Sequence, residues 1–260
     1  MLDIYAIMTS VIIGIIEGIT EFLPISSTGH IVIISHWLGV SNNNTDILKI
    51  FVQLGSSIAI LIFFLHKIIN ITKFIQKTKN IQMIMALIPT VSLGFIFYND
   101  IKLLFNPKNI MYALIFGGIF LIIVEIFKPK NPRINSINDI NLLQSCIIGC
   151  FQTLCLYPGF SRSGATIGSA ILLGIKRSVA IDFSFIISIP LTIGASLLDL
   201  IKNINNININ YIAYYLSGFF ISFIISLLSI KKLIKILNQI SLNIFGLYRF
   251  VLATLIYFIN

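Results

Sequence analysis

The stretch "GFSRSGATIGSAILLGIKR", residues 159–177, decides the fold. Its polar part, "GFSRSGAT", is followed by "IGSAILLGI", nine residues that end at Lys176 and Arg177. Nine helical residues rise only about 14 Å, roughly half of a hydrocarbon core about 30 Å thick. Residues 142–158 before it are apolar and follow a basic loop, 128–141, that carries Lys128, Lys130 and Arg133. A segment that leaves a basic flank and returns to one is expected to enter the bilayer from the cytoplasm, turn near mid-depth and go back.

The rest of the chain supplies the bilayer. Hydrophobic side chains make up 57% of its 260 residues and charged ones 10%, too apolar for an ordinary soluble domain. The formal charge of +9 sits in short loops rather than in a basic stripe with interleaved aromatics, so nucleic acid is not an expected partner. Residues 4–16 resemble a signal-peptide core, but Glu17 and Glu21 follow them and no basic segment precedes them. The run is therefore expected to belong to the mature chain. Cys146, Cys150 and Cys155 lie in one apolar segment without nearby His or carboxylate. They are read as small core residues rather than disulfide partners or metal ligands.

Six runs are candidates to cross: 47–65, 81–98, 109–127, 184–200, 211–230 and 241–259. Lys67, Lys73, Lys77 and Lys79 in loop 66–80, the basic residues of 128–141, and Lys231, Lys232 and Lys235 in loop 231–239 place those loops in the cytoplasm. Loops 99–108 and 201–210 then face outward. Residues 1–40 repeat the hairpin plan: an apolar helix to Leu23, a polar turn "PISSTGH", then "IVIIS". By alternation this first hairpin dips in from the outside.

The fold class expected is therefore all-α: a polytopic integral membrane protein with six transmembrane helices plus two re-entrant helical hairpins in an inverted-topology repeat. Residues 1–260 form a single membrane domain with halves at about 1–127 and 142–259. Irregular backbone at such depth is tolerated where it lines a cavity or is buried in protein. With one-residue gaps, "GIIEGITEFLPISSTG" aligns on "GCFQTLCLYPGFSRSG", pairing Glu17 with Gln152, Pro24 with Pro158 and Gly29 with Gly164.

Ionisable groups at bilayer depth cost about 2.5–3.5 kcal/mol on insertion scales, so they point to function. Glu17 and Glu21 share one helical face, and Ser26, Ser27, Thr28 and His30 follow Pro24. The second hairpin brings Gln152, Ser161, Arg162, Ser163 and Thr166. Arginine is the fork that suits a phosphate, and short helices starting at the turns aim N–H groups at an anion. A hydroxyl nucleophile needs a base, and His30 is close enough in sequence to Ser27 to serve as base or proton donor. The carboxylates could orient His30, take a proton, or hold a divalent cation over phosphate oxygens. Phosphoryl transfer or hydrolysis in a membrane cavity follows.

Blander roles fit other residues. Ser10, Ser56 and Ser57 are expected to bond backward to helix carbonyls, and His36 and His66 to sit at interfaces. Glu125, Asp182 and Asp199 should cap or be solvated. Gly14 and Gly18 should pack helices within one chain. Arg162 could also merely neutralise Glu21.

"EGITEFLPISSTGH" and "PGFSRSGAT" resemble the two signature motifs of the bacterial undecaprenyl-diphosphatase family, also known for bacitracin resistance. The likeness extends through "FVQLGSSIAIL", "LFNPKNIMYALIFGG" and "LYRF". The resemblance implies removal of the terminal phosphate from undecaprenyl diphosphate, giving the monophosphate carrier reused in cell-wall synthesis, in the bacterial inner membrane with the site facing the periplasm. It implies Ser27 as nucleophile, His30 as acid or base, Glu17 and Glu21 as the acidic motif and Arg162 as the phosphate-binding arginine. Ser26, Ser161, Ser163 and Thr166 become hydrogen-bonding neighbours. It also implies stimulation by Mg2+ or Ca2+, with Glu21, and Glu17 beside it, as the metal-linked residues. The partners expected are a polyprenyl diphosphate lipid and the bilayer; oligomeric state is left open. The rival is a lipid-phosphate transporter or flippase, in which the same residues bind a head group without cleaving it.

Overall fold

A computed structural model describes residues 4–40, 43–73 and 77–259. Eleven α-helices run through them: α1 (Ile4–Thr20), α2 (Ser27–Trp37), α3 (Asn43–Lys73), α4 (Lys77–Ile96), α5 (Tyr98–Leu103), α6 (Pro107–Phe127), α7 (Leu142–Gln152), α8 (Arg162–Leu172), α9 (Arg177–Lys202), α10 (Ile212–Gln239) and α11 (Leu242–Ile259). Among the described residues no strand forms, only an isolated bridge between Ile134 and Ile175.

Four helices are long and apolar enough to cross a membrane, over Asn44–Ile69, Pro107–Phe127, Arg177–Lys202 and Leu242–Ile259. Shorter apolar helices cover Ile4–Thr20, Ile81–Ile96 and Leu142–Leu156. The chain is a polytopic, all-helical membrane protein.

Several boundaries differ from the sequence reading. Residues 231–239, expected as a loop, are the last turns of α10, because nothing breaks the helix before the Ile240–Ser241 bend. Most of loop 99–108 is taken up by α5 and the start of α6, and residues 66–73 prolong α3; 74–76 lie outside the described residues. The first polar turn lies earlier than expected, at 21–26 rather than 24–30. α1 stops at Thr20 and α2 starts at Ser27, so Ser27, Thr28 and His30 belong to a helix's first turn, not to a loop.

Helix starts follow local chemistry. The Asn106 side chain accepts from the Asn109 N–H ahead of Pro107, which loses nothing at a position where no N–H is needed. Asn141 and Gln144 form a reciprocal capping box that opens α7. α7 and α8 have 11 residues each, which rise only about 16 Å, too little to cross.

α1 packs on α10, α10 on α3, α3 on α9, α4 on α7 and α6 on α11. Close approach comes from small residues. A Cβ added to Gly14 would lie 2.8 Å from the Gly218 carbonyl oxygen, and one on Gly18 2.9 Å from that of Ser222. The pair therefore packs α1 on α10 inside one chain. Gly118 and Gly246 face each other reciprocally, at 2.9 and 2.8 Å from each other's carbonyl oxygens.

Gly55 gives the sharpest test of this packing, since its Cβ would meet the Phe219 carbonyl oxygen at 2.4 Å. Gly55→Ala is expected to destabilise the protein by about 1–3 kcal/mol, as overpacking does. A melting scan in detergent checks this, and an unchanged melting temperature would mean α3 and α10 are not this close.

The aromatic core steadies the first turn. Phe22 is fully buried, with its ring edge-on to Phe185 at 6.0 Å, and Phe64 packs on Phe185 at 5.8 Å. The turn between α1 and α2 is thus pinned to α3 and α9.

The cysteines correct the sequence reading. Cys150 is exposed and Cys146 and Cys155 are partly so, so none of the three is a fully buried core residue. The acidic residues, expected to cap or be solvated, instead pair largely across elements. Lys67 pairs with Asp182 across α3 and α9. Asp199 accepts from Tyr98 at 2.6 Å and from Lys102 at 3.0 Å. Glu125 accepts from Lys128 and from the Leu242 N–H at 3.1 Å, at the start of α11. Ser56 and Ser57 do bond back to the Gln53 carbonyl, and His36 and His66 are exposed. Ser10 bonds back to Ile7 and also reaches Ser217 of α10.

Candidate active site at two helix starts

α2 and α8 begin in the same unusual way. Ser26 and Ser161 are the two non-glycine residues with positive φ among the described residues, at 71° and 72°. Each Oγ accepts from the N–H three positions on, Gly29 at 3.2 Å and Gly164 at 3.3 Å. The cap bond holds the serine in a conformation costing on the order of 1–3 kcal/mol, the kind of strain that clusters at functional sites. It leaves the remaining first-turn N–H groups, with their positive dipole end, available to an anion.

The two starts touch. Ser163 Oγ donates to the Leu23 carbonyl at 3.1 Å and lies 3.1 Å from Ser161 Oγ. Arg162 Nη2 donates to Glu21 Oε1 at 3.0 Å, and Nη1 to the Ser188 carbonyl of α9 at 3.1 Å. Ser27 Oγ donates to the other oxygen of the same carboxylate, Glu21 Oε2, at 2.8 Å. One carboxylate therefore joins the hydroxyl of the first half to the guanidinium of the second. The Glu21–Arg162 pair is nearly enclosed, with side-chain exposures of 11% and 8%.

Glu17 lies one turn earlier on α1, buried, beside Glu21, Ser27 and Ser56. Thr28 sits in the first turn of α2, partly exposed.

His30 is placed differently from expectation. Its Nδ1 is 2.8 Å from the Ser26 carbonyl and its Nε2 2.8 Å from the Tyr248 hydroxyl of α11, on which it stacks at 5.6 Å. A carbonyl only accepts, so Nδ1 carries the hydrogen, and in the neutral ring Nε2 accepts from Tyr248. Both nitrogens are occupied away from Ser27. The group on the Ser27 hydroxyl is Glu21, and His30 braces the strained Ser26 turn. Helical geometry explains this, because a side chain four positions on reaches back over the preceding turn's carbonyl.

Two more expected residues stand apart. Gln152 Nε2 donates to Thr90 Oγ1 at 3.2 Å and the Ala86 carbonyl at 3.4 Å, which joins α7 to α4. Thr166 donates back to the Arg162 carbonyl at 3.0 Å and meets Ser184 Oγ at 2.5 Å, between α8 and α9. Both pack helices rather than face Ser27. Sequence reading missed Tyr248, the Ser188 carbonyl and the fully buried Arg249. For Arg249 the signal was there: an arginine in the apolar run of α11 is an ionisable group at bilayer depth.

The donor set does not fit a divalent cation held by the protein alone. Among the described residues no three His, Cys, Asp or Glu side chains group together, and both oxygens of Glu21 are engaged, one by a guanidinium.

Fold and site together define a class: polytopic, all-helical membrane proteins in which two strained helix starts are joined by an ion pair. Comparison with known proteins narrows it. The family described as bacitracin resistance protein BacA matches residues 10–255, and the chain belongs to that family. It is 63% identical, over the whole of both chains, to the undecaprenyl-diphosphatase of Buchnera aphidicola subsp. Acyrthosiphon pisum (strain Tuc7). It is 62% identical, again over both full lengths, to that of Buchnera aphidicola subsp. Schizaphis graminum (strain Sg).

Proposed function

We propose that this chain hydrolyses undecaprenyl diphosphate to undecaprenyl phosphate and inorganic phosphate, and so recycles the lipid carrier of cell-wall synthesis and lowers sensitivity to bacitracin. The observation that carries the reading is the chain Ser27–Glu21–Arg162, which binds a hydroxyl and a phosphate-type fork to one carboxylate. In the step we favour, Ser27 Oγ attacks the terminal phosphorus and its proton passes to Glu21. The bond from phosphorus to the bridging oxygen breaks, and polyprenyl phosphate leaves. Once that proton has left Glu21 with the departing polyprenyl phosphate, water attacks the phosphoserine and gives a proton to the freed carboxylate, which passes it to Ser27 Oγ as the bond from phosphorus to Oγ breaks and phosphate is released. Arg162 and the N–H groups of α2 and α8 take up the charge on the phosphoryl oxygens. A divalent cation, Mg2+ or Ca2+, would come with the diphosphate, with Glu17 as the second carboxylate beside Glu21.

The architecture we propose is six crossing helices and two re-entrant hairpins, α1–α2 and α7–α8, in inverted halves of one membrane domain. Three pairings support it. Ser26 matches Ser161 in conformation and cap. Gly14 approaches α10 as Gly149 approaches α4, and Gly118 and Gly246 meet reciprocally. The basic loops then face the cytoplasm of the inner membrane and the first hairpin opens to the periplasm. A long prenyl chain stays in lipid while its diphosphate reaches the polar tips.

The test is release of phosphate from a polyprenyl diphosphate by the purified protein in detergent. Binding without release would favour the transporter reading over this one.

A further inference from the structure

Arg249 of α11 is among the largest side chains with no exposure at all. Its Nη2 donates to the Gly159 carbonyl at 2.7 Å and also to that of Phe160, and its guanidinium lies 5.7 Å from the Phe160 ring centre. These two residues lead directly into Ser161. Its Nη1 and Nε have no hydrogen-bond partner, and among the described residues no carboxylate forms an ion pair with it. Nη1 points to the junction of the tips: a Cβ on Gly164, in the first turn of α8, would lie 3.6 Å from it and 3.5 Å from Pro24 Cβ. Gly117 is what makes room, since a Cβ there would lie 2.3 Å from Nη1.

An unpaired buried cation is costly, and an apolar side chain of similar volume would be easier to accommodate. The other half of the fold does use one. Arg249 comes one turn after Gly246, and one turn after Gly118, its reciprocal partner, stands the fully buried Leu121. The packing therefore does not require a guanidinium at this position; the second turn does.

We infer that Arg249 is a positioning residue for the anion site: it fixes the Gly159 and Phe160 carbonyls that set Ser161 at the start of α8, and its uncancelled charge stands behind the N–H groups that receive the phosphate. The bonds turn two carbonyl dipoles away from the anion, and the charge raises the potential where the phosphate arrives. The inference rests on the phosphatase reading of the same site.

Arg249→Met and Arg249→Lys test it, with kcat and KM for phosphate release and with protection of the inserted protein from heat by inorganic diphosphate. Met removes charge and both bonds but fills the space; Lys keeps the charge. Arg249→Met should raise KM ~10-fold or more and lose diphosphate protection in proportion, without a lower Tm, and Arg249→Lys should recover most of both. A wild-type KM in Arg249→Met overturns the inference. So does a fall of kcat and Tm together at unchanged KM, which is the signature of a merely structural strut. Failure of the wild-type protein to release phosphate would instead sink the phosphatase reading, and loss of diphosphate protection in Arg249→Met alone would still support the positioning role of Arg249.

Discussion

Ser27→Ala is expected to lower phosphate release by on the order of 10³-fold or more, because it removes the proposed attacking atom itself. The fold should survive. Ser27 is the first residue of α2 but not its cap, which is Ser26, so the helix start keeps its bond to Gly29. What the fold loses is one hydroxyl bond to Glu21 at 2.8 Å, worth about 0.5–1.5 kcal/mol. Ser26→Ala is the control, since it removes the cap at a cost of about 1 kcal/mol and leaves the Ser27 hydroxyl in place. The proposed order of damage is therefore opposite for the two serines: Ser27→Ala harms turnover, Ser26→Ala chiefly harms stability. Rapid quench of wild-type protein with radiolabelled lipid diphosphate should trap phosphoserine, and peptide mapping should locate it at Ser27. Wild-type turnover in Ser27→Ala would remove the residue from the chemistry. A dead variant with no trapped phosphoserine in the wild type would move the attack to a water held by Glu21.

How much of this was legible in the sequence depends on the range of the interaction. Spans and the two short hairpins follow from length and hydropathy, which act locally, and the observed α3, α6, α9 and α11 lie close to the expected runs. The contact of the tips was inferable from topology, and Arg162 does reach the carboxylate that holds Ser27. Partner choice was not legible. His30 is near Ser27 in the chain, yet a helix start turns its ring back onto Ser26 and toward Tyr248. Gln152 aligns with Glu17, but its amide finds Thr90 on α4. Nor could spacing reveal that Ser26 and Ser161 would take left-handed backbone, since their caps exist only once α2 and α8 have formed. The extension of α10 over Lys231, Lys232 and Lys235 has a simpler cause: charge ends a span but does not end a helix.

Arg162→Met separates the two roles open to that residue, charge neutraliser and phosphate fork. Removing the guanidinium leaves the Glu21 carboxylate, 11% exposed, with only the Ser27 hydroxyl against it. Breaking a buried pair from one side costs about 3–5 kcal/mol, so the single variant should melt well below wild type. Adding Glu21→Gln removes the orphaned charge as well, and the double variant should regain most of that stability. Activity should not follow. Loss of a donor aimed at developing charge costs roughly 10²–10³ in kcat, and the double variant also lacks the proton acceptor, so both proteins should be nearly inactive. Arg162→Lys completes the set: a lysine keeps the charge near Glu21 but cannot also reach the Ser188 carbonyl with a second arm of a planar fork. It should therefore hold stability better than Met while still losing turnover. The informative comparison is stability against turnover across the three variants. If turnover simply tracked melting temperature, with Arg162→Lys fully active, Arg162 would be no more than a counter-charge for Glu21, and the phosphate would have to be held by the helix starts alone.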